Sequence, residues 1–550
     1  MKKLIILSCV SFLTACSINT EKPSTSQLNP LSNAGAWSEQ GSQQVINAKA
    51  NSTQINNKKG AAKNIILFIG DGMGVSTVTA ARIFAGQQLG KKGEEHQLSF
   101  DKFPFTGLIK TYNTNQQTPD SAGTMTAIMT GVKTKAGVIG VSEQVIRGEC
   151  SSIQGNKLIT ALELAEIAGK QTAIVTNTRV THATPAATYA KAPERNWEDT
   201  SDMPIKAINQ GCLDIADQLI NFETLLEKKV NNGKDHKNID GIDIVMGGGR
   251  RHFLRKKKRD NTPDAKSKKE GDRKDGRNLI NEWKGNYPNG TYIIDQAGFD
   301  KLGNTPKLLA LFNESHMHYE ADRHHDKLGE PSLSEMTKKA IKLLENNNKK
   351  GYFLMVESGR IDHAHHAGNA YNALHETAEF SKAIQLALDA TNQNETLIIV
   401  TADHSHAFTI AGYPTRGNPI LGKVIGNDKQ GKAKQKPELD AEGMPYTTLG
   451  YANGRGFQNL GTETNANKSY QKEINAGRYD LTHIHTEATG YHQESLVPLG
   501  SESHGAEDVA IYAIGPGSHL VSGTNEQNII FHIIDHAGNL TEQAQKALSH

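Results

Sequence analysis

The stretch with the densest chemistry is Glu357-Ser358-Gly359-Arg360-Ile361-Asp362-His363-Ala364-His365-His366, which follows the apolar run Gly351-Tyr352-Phe353-Leu354-Met355-Val356. A short apolar run that ends in a carboxylate and a glycine, before an Ala- and His-rich segment, predicts a buried strand turning into a helix. On such a helix Asp362 and His366 are four residues apart on one face. A hard oxygen and a borderline nitrogen could then meet one zinc ion. Glu357, at the strand end, is available to a neighbouring ion. A surface helix rich in histidine fits this stretch alone equally well, because short motifs recur by chance.

Other strand ends carry similar groups. Ile65 to Ile69 precede Gly70-Asp71-Gly72, and the flanking glycines let a ligand approach Asp71 closely. Thr396-Leu397-Ile398-Ile399-Val400 precedes Thr401-Ala402-Asp403-His404. Between them lies Thr118-Pro119-Asp120-Ser121-Ala122-Gly123-Thr124, a turn followed by small residues suited to a tightly packed helix start. The free amides and dipole of that start favour negative charge at Ser121. In the plainer reading Asp120 or Ser121 simply caps the helix.

These groups need elements to hold them. Strands are expected also at Thr172–Thr176, Ile242–Met246 and Asp508–Tyr512, with helices at Ile159–Ala168, Leu213–Lys228, Ser334–Asn346 and Asn372–Thr391. Alternation of buried strands and helices predicts an α/β fold with a large, mostly parallel central sheet covered by helices on both faces. Function in such sheets gathers at the carboxyl ends of the strands, where Asp71, Glu357, Asp403 and His404 fall.

Composition narrows the classes. Lys+Arg 61 against Asp+Glu 59 leaves a net charge of +2 over 550 residues, so no global field recruits nucleic acid. Lys2 and Lys3, the apolar Leu4 to Leu13, and Leu13-Thr14-Ala15-Cys16 read as a bacterial lipoprotein signal over residues 1–16, with Cys16 lipidated; an ordinary signal peptide cut nearby is the alternative. Either leader takes the protein out of the cytoplasm, and a lipid on Cys16 would tether it in the cell envelope, facing the periplasm or on the outer membrane. Residues 17–60, rich in Ser, Asn, Gln and Thr, read as a flexible tether before a folded region over 61–550. Of four cysteines, Cys9 leaves with the leader and Cys16 takes the lipid, so Cys150 and Cys212 can pair with each other or remain two free thiols. No segment after the leader has the continuous apolar length of a transmembrane helix.

Taken in order, GDGMG at 70–74, PDSAGT at 119–124, TRVTHATPAA at 178–187, RNW at 195–197, ESGRIDHAHH at 357–366, TADHSH at 401–406 and SHGAEDVAIYAIGPG at 503–517 resemble the alkaline phosphatase family along nearly all of residues 63–536. Several of these motifs, with the two cysteines 62 residues apart, are similar to the animal-type branch. The resemblance implies Ser121 as the nucleophile that becomes phosphoserine and Arg195 as the guanidinium that grips two phosphate oxygens. It implies one zinc on Asp362, His366 and His504, a second on Asp71, Asp403 and His404, and magnesium on Asp71, Thr184 and Glu357. His182 and His363 match outer-shell histidines. His365, His406 and His485 match no direct ligand position. The branch's calcium site is doubtful here, since Phe312 matches but Asn313 replaces a glutamate and Glu330 comes one residue out of step. A homodimer is the family's habit.

The expected function is hydrolysis of small phosphate monoesters at alkaline pH, with two zinc ions and one magnesium per chain. Two zinc ions suit phosphoryl transfer because they can clamp the attacking and leaving oxygens. A planar guanidinium at Arg195 matches phosphate as lysine could not. A phosphodiesterase or sulfatase of the same superfamily is the alternative enzyme, and a catalytically silent phosphate- or zinc-binding envelope lipoprotein the alternative from another class. Arg195, Glu357 and Thr184 together point to the monoesterase pattern. Two regions depart from the family core. The basic stretch 250–277, with Arg255-Lys256-Lys257-Lys258-Arg259, reads as a solvated loop rather than a polyanion-binding patch. The Gly-, Asn- and Lys-rich insertion at about 408–493 resembles the family's crown region.

Overall fold

Ile65 to Ile69 form the middle of β1 (Asn64–Gly70), which is buried along its whole length. A strand covered on both faces has no reason to alternate polar and apolar residues, and each buried Ile, Leu or Phe contributes ~1.5–3 kcal/mol. In chain order there follow β2 (Phe105–Lys110), β3 (Gln171–Arg179), β4 (Ile244–Gly248), β5 (Thr291–Ile293), β6 (Leu308–Leu311), β7 (Tyr352–Ser358) and β8 (Thr396–Thr401). Short strands come next: β9 (Ser405–His406), β10 (Phe408–Ile410), β11 (Leu449–Gly454), β12 (Gln458–Asn459), β13 (Tyr491–His492), β14 (Ser495–Pro498) and β15 (His504–Gly505). The chain then returns with β16 (Val509–Ile514) and β17 (Thr524–Glu526). The computed structural model describes residues 61–230, 238–266, 268–346, 350–463 and 473–549, all in one compact unit, Lys58–His550. The expected leader, Cys16 and the tether 17–60 lie outside the described residues.

Ten strands make one sheet in the order β17-β2-β16-β8-β1-β7-β3-β4-β6-β5. Every pairing is parallel except those of β16, which runs against both β2 and β8. This is the large, mostly parallel sheet that the alternating pattern predicts. Helix Ala370–Ala390 packs against both Val75–Gln88 and Leu333–Asn346, while Ser121–Thr130, Ala161–Ile167 and Ile529–Gly538 pack with one another. β1 lies between β8 and β7, with Ile69 level with both Thr401 and Glu357, while Thr176 of β3 is level with Glu357. One row across four strands therefore ends at one place, and the site stands there.

The helix expected over Leu213–Lys228 is two helices, Ile215–Ile220 and Phe222–Val230. Asn221 causes the break: its Nδ2 donates to Asp217 O at 3.2 Å and Asp217 Oδ1 at 2.6 Å, and so competes with the helix ladder. In the insertion, β10, β11 and β14 form a separate three-stranded sheet and β12 pairs with β13. Cys150 and Cys212 are joined as a disulfide with Cα atoms 5.9 Å apart.

The basic stretch 250–277 is only partly a solvated loop, and the expectation is corrected at its ends. Lys256, Lys257, Lys258 and Arg259 are exposed, but Arg250 and Arg273 are buried. Arg250 reaches Glu270 at 2.6 Å, Asp264 at 2.7 Å and the Leu311 carbonyl at 2.7 Å. Arg273 grips Asp214 through two bonds of 2.9 Å and also meets Asp275 at 2.5 Å. Several of the acids scattered through the stretch are the partners of its buried arginines.

Candidate active site

Asp71 follows β1 directly and is fully buried. The turn that brings it round needs glycine at 72: φ is +69°, and a Cβ there would lie 2.4 Å from the His406 ring. Asp403 and His404 follow β8, and Asp403 Oδ1 accepts from Gly72 N at 3.1 Å and His404 N at 2.9 Å. Burial pushes the Asp71 carboxyl well up, reinforced by Asp403, Asp362 and Glu357, and burial likewise raises Asp403. Thr184 Oγ1 donates to Asp71 Oδ2 at 3.4 Å, while Asp71 Oδ1 has no hydrogen-bond partner.

Glu357 is the penultimate residue of β7. Its Oε2 accepts from Thr178 Oγ1 at 2.9 Å and from Thr176 Oγ1, both on β3, while Oε1 is unpartnered. Burial raises its carboxyl to about 7 despite the two threonines. The turn after β7 is held by Asn177, whose Oδ1 accepts from Gly359 N at 2.9 Å and Arg360 N at 3.2 Å. Helix Arg360–His366 then presents Asp362 and His366 together, as their spacing predicts.

His366 and His504 show what this cluster is built for. His366 Nδ1 lies 2.6 Å from the Glu502 carbonyl and His504 Nδ1 lies 2.8 Å from the Pro119 carbonyl. A carbonyl only accepts, so each Nδ1 carries a proton and each Nε2 is the atom turned into the cluster. The two Nε2 atoms are 3.0 Å apart, and both are 3.3 Å from Asp362 Oδ1. Two imidazole nitrogens that close need a proton or a metal ion between them. Burial opposes ionisation of Asp362, but His366, His406 and His504 together hold it well below the usual carboxylate range.

Ligand atoms of three sets lie within 4.8 Å of one another: Asp362, His366, His406 and His504; Asp71, Asp403 and His404; and Asp71, His182 and Glu357. The unpartnered Asp71 Oδ1, Glu357 Oε1 and His182 Nδ1 all belong to these sets. Buried oxygens and nitrogens without partners cost free energy unless something binds them, so these donor sets fit metal ions. The first two mix nitrogen and oxygen as zinc accepts, and Glu357, Asp71 and Thr184 offer the hard oxygens magnesium prefers.

Ser121 opens helix Ser121–Thr130 and Asp120 caps it, accepting from Gly123 N at 3.0 Å. With Asp120 as the cap, Ser121 Oγ is free of the helix end and hydrogen-bonded to His404 Nε2 at 3.0 Å. Asp120 also anchors Arg195 at 3.2 Å, and the other arm of that guanidinium lies 3.3 Å from His182 Nε2. Burial, then Arg195 and Arg179, lower His182 to about 3, so its ring is neutral. His363 lies in the same group, its ring 5.5 Å from His182 and its Nδ1 3.0 Å from an Arg360 nitrogen.

Sequence reasoning gave His406 no ligand position and passed over Glu502, yet His406 stands in the Asp362, His366 and His504 cluster. His406 Nε2 lies 2.8 Å from Asp362 Oδ1 and Nδ1 lies 2.6 Å from Glu502 Oε2. Although burial opposes its charge, the two acids raise its pKa to about 10. The available signal was spacing: His406 comes two residues after His404, and β9 pairs with β15 so that His406 faces His504. His316 was also missed; its ring meets that of His363 edge to face, with centroids 4.2 Å apart. His365 is a satisfied core residue, bonded to Thr77 at 3.0 Å and Tyr451 at 2.8 Å. At the doubtful calcium position, Glu330 meets His318 Nδ1 at 2.9 Å and Asn313 at 3.4 Å, an arrangement that includes an imidazole.

The family model for alkaline phosphatase matches residues 62–540. Human tissue-nonspecific alkaline phosphatase is 43% identical over 482 residues, which is 86% of this chain and 83% of the human one. The alkaline phosphatase of Gadus morhua is 43% identical over 493 residues, 89% of this chain and 94% of its own. Two solved structures have the same fold at lower identity. The alkaline phosphatase of the Antarctic bacterium TAB5 is 23% identical with a TM-score of 0.55, covering 88% of this chain and 99% of its own. That of Thermus thermophilus is 22% identical with a TM-score of 0.58, covering 90% and 97%. With Ser121, Arg195 and three buried clusters of donors able to hold metal ions gathered about the ends of β1, β7 and β8, the chain belongs to the alkaline phosphatase family of metal-dependent phosphate monoester hydrolases.

Proposed function

We propose that the protein hydrolyses phosphate monoesters at alkaline pH in two steps, with a phosphoserine on Ser121 between them. The observation that carries this reading is the placement of Ser121 Oγ at a helix start, 3.0 Å from His404 Nε2, with Arg195 held alongside by Asp120. The free amides of helix Ser121–Thr130 and the guanidinium fork of Arg195 hold the phosphoryl oxygens and oppose their charge. Ser121 Oγ forms a new P–O bond as the ester P–O bond breaks and the alcohol departs. Water then attacks phosphorus, inorganic phosphate leaves, and the Ser121 hydroxyl is restored.

Asp362, His366 and His504 would hold one zinc, Asp71, Asp403 and His404 a second, and Asp71, Thr184 and Glu357 a magnesium. When bound, these ions supply Lewis-acid activation of hydroxyl and water and neutralise charge on the reacting oxygens. The chain's own part is to fix the ligands. The Glu502 and Pro119 carbonyls set the tautomers of His366 and His504, and Thr176 and Thr178 orient Glu357. His182 and His363 act beside the ligands, with His182 spacing Arg195 from the carboxylates.

The side chains placed here grip the phosphoryl group and leave the alcohol unread, which supports broad specificity. Localisation in the cell envelope through a lipid on Cys16 belongs to the same reading. So does a homodimer, for which exposed Tyr413 and Leu439 on the insertion, and Leu496 just after it, offer apolar surface. The test is hydrolysis of an aryl phosphate monoester against the matching diester and sulfate, at alkaline pH with zinc and magnesium, for wild type and Ser121→Ala. Monoester turnover that falls ~1,000-fold or more in the variant supports the reading. Preference for the diester or sulfate would reassign the reaction, and phosphate binding without turnover would favour a silent binding protein.

A further inference from the structure

A cavity of about 800 Å³ lies among the turn Cys150–Ile153, helices Ile215–Ile220 and Phe222–Val230, and the segment around Lys191; none of its lining residues belongs to the metal-ligand sets. That is the volume of a small-molecule site. Its floor is apolar, with Ile153, Phe222 and Leu226 buried and Leu225 half-buried. Its charge is one-sided: Lys157, Lys191, Lys228 and Lys229 line it against a single carboxylate, Glu163.

Lys191 makes this more than a surface cluster of lysines, because it is only 8% exposed. Gln218 clamps its main chain, accepting from Lys191 N at 2.8 Å and donating to Lys191 O at 3.3 Å. The ammonium lies 3.1 Å from Glu163 Oε2, but that ion pair lacks the alignment of a hydrogen bond. Glu163 is already committed: Oε2 accepts from Thr160 N at 2.8 Å, and Lys229 reaches both its oxygens at 3.1 and 3.3 Å. One carboxylate thus serves two ammonium groups, and burial lowers Lys191 to about 8. A buried cation short of compensating charge, above an apolar floor, is complementary to a ligand with an anionic head and an apolar body.

We propose that this cavity binds an amphipathic organic anion, an alkyl or aryl carboxylate, sulfonate or phosphate, with its head on Lys191 and Lys229 and its body against Phe222, Leu225 and Leu226. The site is separate from the phosphoryl chemistry and does not depend on it. The probe is anilinonaphthalene sulfonate, titrated by fluorescence into the metal-loaded protein with saturating inorganic phosphate present to fill the catalytic site. Saturable binding at one site per chain is expected, displaced by octyl sulfate and octanoate but not by the neutral octyl glucoside. Lys191→Gln and Lys229→Gln are each expected to weaken binding tenfold or more, and Leu225→Asp to abolish it, with aryl phosphate hydrolysis unchanged. Lys229 is exposed and Leu225 half-buried, so those two variants keep the test valid if Lys191→Gln does not fold. The proposal is overturned by the lack of a saturable site, by equal displacement with octyl glucoside, or by wild-type affinity in folded, active Lys229→Gln and Leu225→Asp.

Discussion

Two regions of the molecule bury charge, and they treat it in opposite ways. In the basic stretch, Arg250 is closed off by Glu270, Asp264 and the Leu311 carbonyl, and Arg273 by Asp214 and Asp275. At the ends of β1, β7 and β8, by contrast, Asp71 Oδ1 and Glu357 Oε1 are buried without partners, and the Nε2 atoms of His366 and His504 face each other at 3.0 Å. Closed networks of buried charge serve as scaffold, since each group's desolvation is offset by its neighbours. Open ones are held at a cost that a ligand can offset, and among the described residues the buried carboxylate oxygens without partners, those of Asp71 and Glu357, both lie at this end of the fold.

That contrast can be broken by experiment. The largest effect belongs to the open region: stripping metals with a chelator is expected to abolish monoester hydrolysis and to lower thermal stability, both restored by zinc and magnesium. Unchanged activity in demonstrably metal-free protein would remove the reason given for the unpartnered carboxylates. Next, Arg195→Lys keeps the charge but loses the fork, and steady-state kinetics should show kcat/KM falling ~100-fold while folding is retained. In the closed region, Arg273→Met leaves the buried Asp214 without its guanidinium partner. Denaturant unfolding should show a loss of ~3–5 kcal/mol, with kcat unchanged in the folded fraction.

Lys191 lies between the two cases, with one shared partner, and should show the smallest effect. Its folded pKa of about 8 lies below the ordinary lysine value of 10.5. Between those limits the unfolded chain holds the proton and the folded one releases it, so stability should rise with pH across that window. The wild type should gain on the order of 1–3 kcal/mol there relative to Lys191→Met. A flat difference between the two stability curves would show Lys191 to be as fully compensated as Arg273.

Much of the open region was legible in the sequence because strand ends write themselves locally. An apolar run followed by Gly70-Asp71-Gly72, by Glu357-Ser358-Gly359 or by Thr401-Ala402-Asp403 places a carboxylate at the rim of a parallel sheet, and the i,i+4 spacing put Asp362 beside His366. The roles of Arg195 and Thr184 rested on family resemblance, since no local pattern sets them apart, whereas Ser121 had a local signal in the helix start after Pro119-Asp120 that the resemblance sharpened. What was not legible depends on distant pairing. Glu502 lies 96 positions from the His406 it holds, and Asn177 lies 182 from the Gly359 amide it caps. The burial of Arg250 and Arg273 was hidden for the same reason. Composition shows a basic loop, and only the folded chain shows which of its arginines turn inward. The break at Asn221 was local, but apolar periodicity continues through it and masked an asparagine that competes with the helix.

The central claim is that Ser121 is the group this constellation exists to activate. The most direct measurement is an acid quench of the metal-loaded protein during turnover of an aryl phosphate, followed by mass analysis of the peptide carrying Ser121. The account predicts a phosphoryl adduct on Ser121 that forms with substrate, disappears when substrate is exhausted, and is missing in Ser121→Ala. Full turnover with no adduct on that peptide, or an adduct on another residue, would contradict it.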